Sequence, residues 1–265
     1  MVYKIFNFFV VFSFLIAQVS CNMTNLDIAE FPPPTSTVGD FPLVSQNVGN
    51  FYDVRTYESF VHKISRTSAV RVQIEYPSMT VYGSGTYVKW RGHDMVVTAA
   101  HLFAFGGGSV LHDDAIITSP SERVFGKLVY IDEYVDIAVF AIPALKSRKH
   151  GSFNRARSFE IGDKVVYSGF PGPNQLLTLD GAISGEGGAT DIAMQSFAWP
   201  GSSGSGVYNS KGELVGVVVS IMVGGGPSGS QLIGSIVYIA PATLIDSAQL
   251  LYNLDKLQRT NNAGF

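Results

Sequence analysis

Three short motifs, each tied to an apolar run, constrain what this chain can fold into. Met95-Val96-Val97-Thr98-Ala99-Ala100-His101 runs from apolar into small residues and ends on a histidine. Tyr134-Val135-Asp136-Ile137-Ala138-Val139-Phe140 opens an apolar run on an aspartate. Pro200-Gly201-Ser202-Ser203-Gly204-Ser205-Gly206-Val207 sets serines among glycines ahead of the apolar run from Leu214 to Val219. A Gly/Ser cluster alone is ordinary turn chemistry. A serine hydroxyl becomes a nucleophile only when a base takes its proton and donors stabilise the oxyanion that follows. The order His101, Asp136, Ser203 supplies a base and an orienting acid, and such chain orders separate unrelated serine-hydrolase folds.

Rivals exist for each role. His62, His93, His112 and His150 do not follow an apolar strand into a small-residue turn. Asp132 and Glu133 stand close to Asp136, but only Asp136 immediately precedes the apolar run that would hold it in place. Ser202 and Ser205 flank Ser203, which is the serine with a glycine directly after it and another two residues before it. Such glycines permit a tight turn that aims the N–H groups of Gly201 and Ser203 at one point, an oxyanion hole.

The rest of the chain fits an all-β protein. Charged residues make up 15% against a usual ~25%, and 28 glycines and 12 prolines punctuate short apolar runs. An apolar content of 46% excludes general disorder, and a net charge of −3 gives no sign of a nucleic-acid surface. Alternation predicts strands near residues 69–74, 85–90, 94–98, 115–118, 126–131 and 137–142. A second set is expected near 164–167, 176–179, 182–184 and 191–196, with two more after Ser203. Residues 57–66 suit a short helix, and the apolar spacing within Ala242 to Leu257 an amphipathic one.

With these motifs in order, the chain resembles the chymotrypsin-fold serine proteases, nearest to the HtrA/Deg type and related viral trypsin-like enzymes. Gly83-Ser84-Gly85-Thr86 is similar to the family's first-barrel hairpin. The histidine, aspartate and serine motifs follow, with Gly162-Asp163 and Gly169-Phe170-Pro171 opening the second half. Ile236-Val237-Tyr238-Ile239-Ala240-Pro241 resembles the closing strand that leads into a helix. The resemblance implies an all-β fold of two six-stranded antiparallel β-barrels with a C-terminal α-helix. It also implies a serine endopeptidase acting on protein or peptide substrates through an acyl-enzyme, without cofactor.

The expected organisation is a signal peptide or anchor over residues 1–21, an arm with a Pro-rich stretch over 22–66, barrels over 67–150 and 151–241, and a helix and tail over 242–265. Lys4 followed by an apolar core matches an export signal and is short for a membrane span. An uncleaved anchor, the one route to a membrane, and lipidation of Cys21 are the alternatives. Cys21 is the only cysteine, so the mature chain would hold no intramolecular disulfide. No PDZ module is expected after the helix.

Ser202 stands where trypsins carry the aspartate that pairs with a freshly cut N-terminus, so competence without zymogen cleavage is expected. Phe197 stands where trypsin's pocket carries an acid. A substrate pocket built from Phe197, Ala198, Val219, Ser220 and Ile236 would not favour Lys or Arg. No metal motif is present; Asp113-Asp114 is the one pair considered for calcium, and Gly106–Gly108 lacks the lysine of a phosphate loop. Two competing readings are an inactive protease homologue acting as a binding module, and a viral protease restricted to its own polyprotein.

Overall fold

In a computed structural model, described residues run from 59 to 262, apart from 77–78, 104–113, 120, 173–174 and 227–228. Side chains of 223–234 and 261–262 are likewise not described. The expected export signal, Cys21, the Pro-rich arm and Asp113 lie outside the described residues.

Alternating burial sets the strands. In β1 (Ala69–Glu75), Val70, Val72 and Ile74 face inward, while Arg71, Gln73 and Glu75 face out. β1 pairs with β2 (Thr80–Trp90), which turns through Arg91 and Gly92, both at positive φ, into β3 (His93–Thr98). β4 (Asp114–Thr118), β5 (Arg123–Asp132) and β6 (Ile137–Ala141) complete a closed barrel in the order β1-β2-β3-β6-β5-β4. The second barrel closes as β10-β11-β12-β9-β8-β7. Its strands are β7 (Lys164–Gly169), β8 (Leu177–Glu186), β9 (Ile192–Gln195), β10 (Gly206–Asn209), β11 (Leu214–Gly226) and β12 (Gly229–Pro241). Two closed six-stranded antiparallel barrels are therefore present, and closure leaves few free sheet edges.

Residues expected as separate strands at 176–179 and 182–184 form the single strand β8, whose register slips between Ile183 and Gly185 as it bends along the barrel.

Helix α1 (Phe60–Ser68) starts at Ser59, whose hydroxyl accepts the His62 N–H, and leads directly into β1. Helix α2 (Ser247–Asn262) begins later than the apolar spacing suggested, because a 3-10 turn at Ala242–Leu244 comes first. Asp246 accepts the N–H groups of Ala248 and Gln249 and so caps the helix start. Leu250 and Leu254 pack into the core of the first barrel. Among the described residues, no helix is long and apolar enough to cross a membrane.

Candidate active site

The histidine sits where β3 ends. Val96, Val97 and Thr98 are fully buried, and the chain leaves the barrel through Ala99 into a 3-10 turn at Ala100–Leu102 that carries His101. Asp136 closes the β5–β6 turn with φ of +63°, in the left-handed region that Asp tolerates better than most residues. Both its carboxylate oxygens are used on His101. Oδ1 accepts the His101 backbone N–H at 2.7 Å, and Oδ2 lies 2.7 Å from the ring Nδ1. The Asp136 carbonyl accepts the Ala100 N–H at 3.2 Å. A carboxylate acceptor at Nδ1 places the imidazole proton there and leaves Nε2 as the basic nitrogen.

The rival acids are occupied or turned away. Asp132 Oδ1 accepts the N–H groups of Tyr134 and Val135 at 3.0 and 3.1 Å, so it shapes the same turn, and Glu133 is exposed.

The serine loop is built on close approach. Gly201 and Gly204 have φ of +101° and +88°. A Cβ on Gly204 would come within 2.1 Å of the Ser84 carbonyl and of Thr98 Oγ1, and one on Gly201 within 2.6 Å of the Phe170 carbonyl. Only glycine fits either place. The turn is closed by Ser205 N–H donating to the Ser202 carbonyl, and Gly204 N–H donates to Val218 on β11. Among the described residues, neither the Gly201 N–H nor the Ser203 N–H donates to a protein acceptor.

The three serines differ sharply. Ser202 is 1% exposed, and its hydroxyl accepts the Trp199 N–H. Ser205 is 0% exposed, and its Oγ has no hydrogen-bond partner among the described residues. Ser203 alone is part-exposed. Its Oγ makes no hydrogen bond to His101, and such contacts often tighten only when substrate binds.

Sequence reasoning missed the residue that ties the loop to the first barrel. Ser84 on β2 is fully buried, and its N–H donates to the Ser203 carbonyl at 2.8 Å. Its Oγ donates to the Gly201 carbonyl at 2.7 Å and accepts the Phe170 N–H at 2.9 Å. Thr98 Oγ1 donates to the Ser84 carbonyl at 2.7 Å. On the far side, Gly172 N–H donates to the Pro200 carbonyl at 2.7 Å and fixes the peptide that carries the Gly201 N–H. The motif Gly83-Ser84-Gly85 was visible, but nothing in a lone sequence says that its serine reaches the other barrel.

The residues considered for a substrate pocket separate into two groups. Ala198 is 1% exposed and packs in the second core, and Val219 is buried. Phe197 is 53% exposed, and its carbonyl accepts the Tyr167 hydroxyl. Ser220 is exposed, and Ile236 is half-buried. Burial raises the Asp191 carboxyl above the usual carboxylate range, and the negative charge of Asp136 adds to it. Among the described residues, no group of three or more His, Cys, Asp or Glu side chains could hold a metal ion.

Known proteins of this build are similar along most of the barrels. A serine protease Do-like HtrA of Lactococcus lactis subsp. lactis is 30% identical over 154 residues, covering 52% of this chain and 36% of the relative. This chain thus spans little more than a third of the curated relatives it matches. Among solved structures, the HtrA-type protease AlgW with tripeptide superposes with a TM-score of 0.57 at 20% identity, over 71% of this chain and 61% of that one. The serine endoprotease from Yersinia pestis gives 0.55 at 22% identity, over 69% and 62%. The trypsin-like peptidase domain model matches residues 83–217, from the hairpin of Ser84 through the loop of Ser203 to β11, and the chain belongs to that family.

Proposed function

We propose that this chain is a serine endopeptidase in which Ser203 is the nucleophile, His101 the general base and Asp136 the acid that orients the imidazole. The observation that carries this reading is the two-point grip of Asp136 on His101, together with a part-exposed serine whose N–H and that of Gly201 meet no protein acceptor among the described residues. His101 Nε2 takes the Ser203 proton as Oγ attacks the substrate carbonyl carbon. The Gly201 and Ser203 N–H groups receive the oxyanion. The imidazolium then protonates the leaving amine, and water attacks the acyl-enzyme by the same steps in reverse. Family membership supports a protein or peptide substrate.

Ser202 takes the place of the trypsin aspartate, and its hydroxyl is bonded within the loop. Competence without zymogen cleavage follows. With Phe197 where trypsin carries an acid, and Ala198 beside it, the pocket of Phe197, Ala198, Val219, Ser220 and Ile236 takes apolar side chains in preference to Lys or Arg. Residues 1–21 direct export.

Labelling of the protein by a fluorophosphonate tests the site without a known substrate. Wild type and Ser205→Ala take the label, and Ser203→Ala does not. A folded wild type that takes no label removes the enzymatic reading and leaves a binding module on the same fold.

A further inference from the structure

One face of the second barrel, at β9, β12 and β11, is turned toward the first. Ile192 of β9 pairs with Ile239, which is fully buried in the second core. Its neighbours Asp191 and Ala193 therefore lie on the opposite face. Ala193 pairs with Tyr238 of β12, and Tyr238 with Ser220 of β11. Tyr238 packs against the core of the first barrel, so this face looks into the junction between the barrels. Gly187 keeps acid and ring together: a Cβ there would come within 2.5 Å of Tyr238 Cδ1 and 3.2 Å of Asp191 Cβ. The same face joins the nucleophile loop. The Val218 carbonyl accepts the Gly204 N–H and its N–H donates to the Ser205 carbonyl, and β11 then carries Ser220 outward.

Asp191 is half-buried, and little holds its charge. Among the described residues, its carboxylate accepts one hydrogen bond, from Thr190 Oγ1 at 3.4 Å, and no lysine or arginine pairs with it. Other turn carboxylates of this molecule differ. Asp132 accepts the N–H groups of Tyr134 and Val135, Asp163 that of Glu160, and Asp246 those of Ala248 and Gln249. Those acids shape their turns, whereas Asp191 accepts no backbone N–H among the described residues. Burial holds its carboxyl above the usual range, and Asp136 is close enough for its negative charge to add to the shift. A half-buried carboxylate beside a second one, without a cation, costs stability that an incoming cation would return.

We propose that Asp191 is a specificity-determining residue, receiving a lysine or arginine that precedes the substrate residue held by the Phe197–Ala198 pocket. This inference rests on the protease reading and names a feature of its substrate. A chain antiparallel to β11, with its carbonyl at the Gly201 and Ser203 N–H groups, runs its preceding residues out past Ser220. A long cationic side chain there lays its stem along the Tyr238 ring and brings its charge to Asp191. The acid missing at Phe197 thus has a counterpart on the strand face, away from the pocket.

Digestion of denatured casein by the full chain, with cut sites read by mass spectrometry, tests the assignment beside fluorophosphonate labelling. Lys and Arg are expected to be enriched roughly tenfold over Gln at one position before the pocket residue. The enrichment is expected to vanish in Asp191→Asn and to persist in Glu186→Gln, which removes the exposed acid paired with Ile192. If Asp191→Asn does not fold, Asp191→Ser replaces it with the same expected loss. Cut sites without enrichment, enrichment that survives in the Asp191 variant, or an equal loss in Glu186→Gln would each overturn the assignment. A wild type that takes no label fails the protease reading itself and takes this assignment with it.

Discussion

Ser84 Oγ lies 2.7 Å from the carbonyl oxygen of Gly201, so a hydroxyl of the first barrel holds the peptide next to the proposed oxyanion donors of the second. The same oxygen accepts the Phe170 N–H, and the Ser84 backbone N–H holds the Ser203 carbonyl. One small residue therefore spans the junction on which the site depends.

Ser84→Ala leaves the Gly201 carbonyl and the Phe170 N–H short of a partner. The stability cost is expected at about 1–3 kcal/mol, read from urea denaturation. The loop keeps its backbone bond to residue 84, so the oxyanion donors shift and are not lost. Fluorophosphonate labelling is expected to slow by roughly tenfold, well short of the ~10²–10³ for deleting a donor outright. Labelling at the wild-type rate would show that the hydroxyl does not position the loop.

Much of this was readable in the sequence, and the reason differs by element. The barrels were legible because their strands alternate in burial, as β1 does, and because glycine punctuates their turns. The contact between His101 and Asp136 was expected because each stands at the edge of an apolar run, and the structure brings the two together. Ser84 was not, because its role arises from two barrels meeting and leaves no local pattern. The start of α2 was misplaced for a related reason. The apolar spacing continues through the 3-10 turn at Ala242–Leu244, while the helix waits for the Asp246 cap.

Ser205 is fully buried, unlike Ser203, the proposed nucleophile. Among the described residues its Oγ has no hydrogen-bond partner, and a Cβ on Gly169 would lie 2.0 Å from it, so the site around it is tight. Removing an unpaired buried hydroxyl is close to neutral or stabilising. Ser205→Ala is expected to match or exceed wild-type stability in urea and to keep the wild-type labelling rate. A loss of more than about 1 kcal/mol would mean that the hydroxyl is bonded after all.

Asp136 combines chemistry with a strained backbone. Asn adopts the φ of +63° readily, whereas Ala meets a left-handed penalty of roughly 1–2 kcal/mol. Asn also offers only one oxygen where Asp136 offers two to His101, so the imidazole loses its fixed tautomer. Asp136→Asn and Asp136→Ala are both expected to slow labelling by about 10³–10⁴. Asp136→Asn is expected to be the more stable of the two by about 1 kcal/mol. Equal stability would remove backbone strain from the account.

The linker end is clamped by a titrating cluster. Tyr87 donates to Asp94 Oδ1 at 2.5 Å and accepts the Leu145 N–H at 3.1 Å, and His150 Nε2 lies 2.6 Å from the same Asp94 oxygen. Burial pushes the Tyr87 hydroxyl up from 10.0 to about 12, with the Asp94 bond adding to it. For Asp94, burial acts upward but is outweighed by hydrogen bonds from Tyr87 and His150 and by the charge of Lys89, so its carboxyl falls below the usual range. A depressed acid stabilises the fold above its unfolded pKa and loses that contribution as pH falls through the folded value. A raised tyrosine stabilises it below pH 10.0 and loses that contribution as pH rises toward about 12. Unfolding free energy measured by urea across the pH range should therefore plateau at neutrality and fall on both sides. Asp94→Asn should flatten the acid limb, and Tyr87→Phe should reduce the slope of the alkaline limb. Burial also raises Tyr167 to about 12, so part of the alkaline slope survives in Tyr87→Phe and falls further in the double variant with Tyr167→Phe. An alkaline limb unchanged in that double variant would place the titration elsewhere.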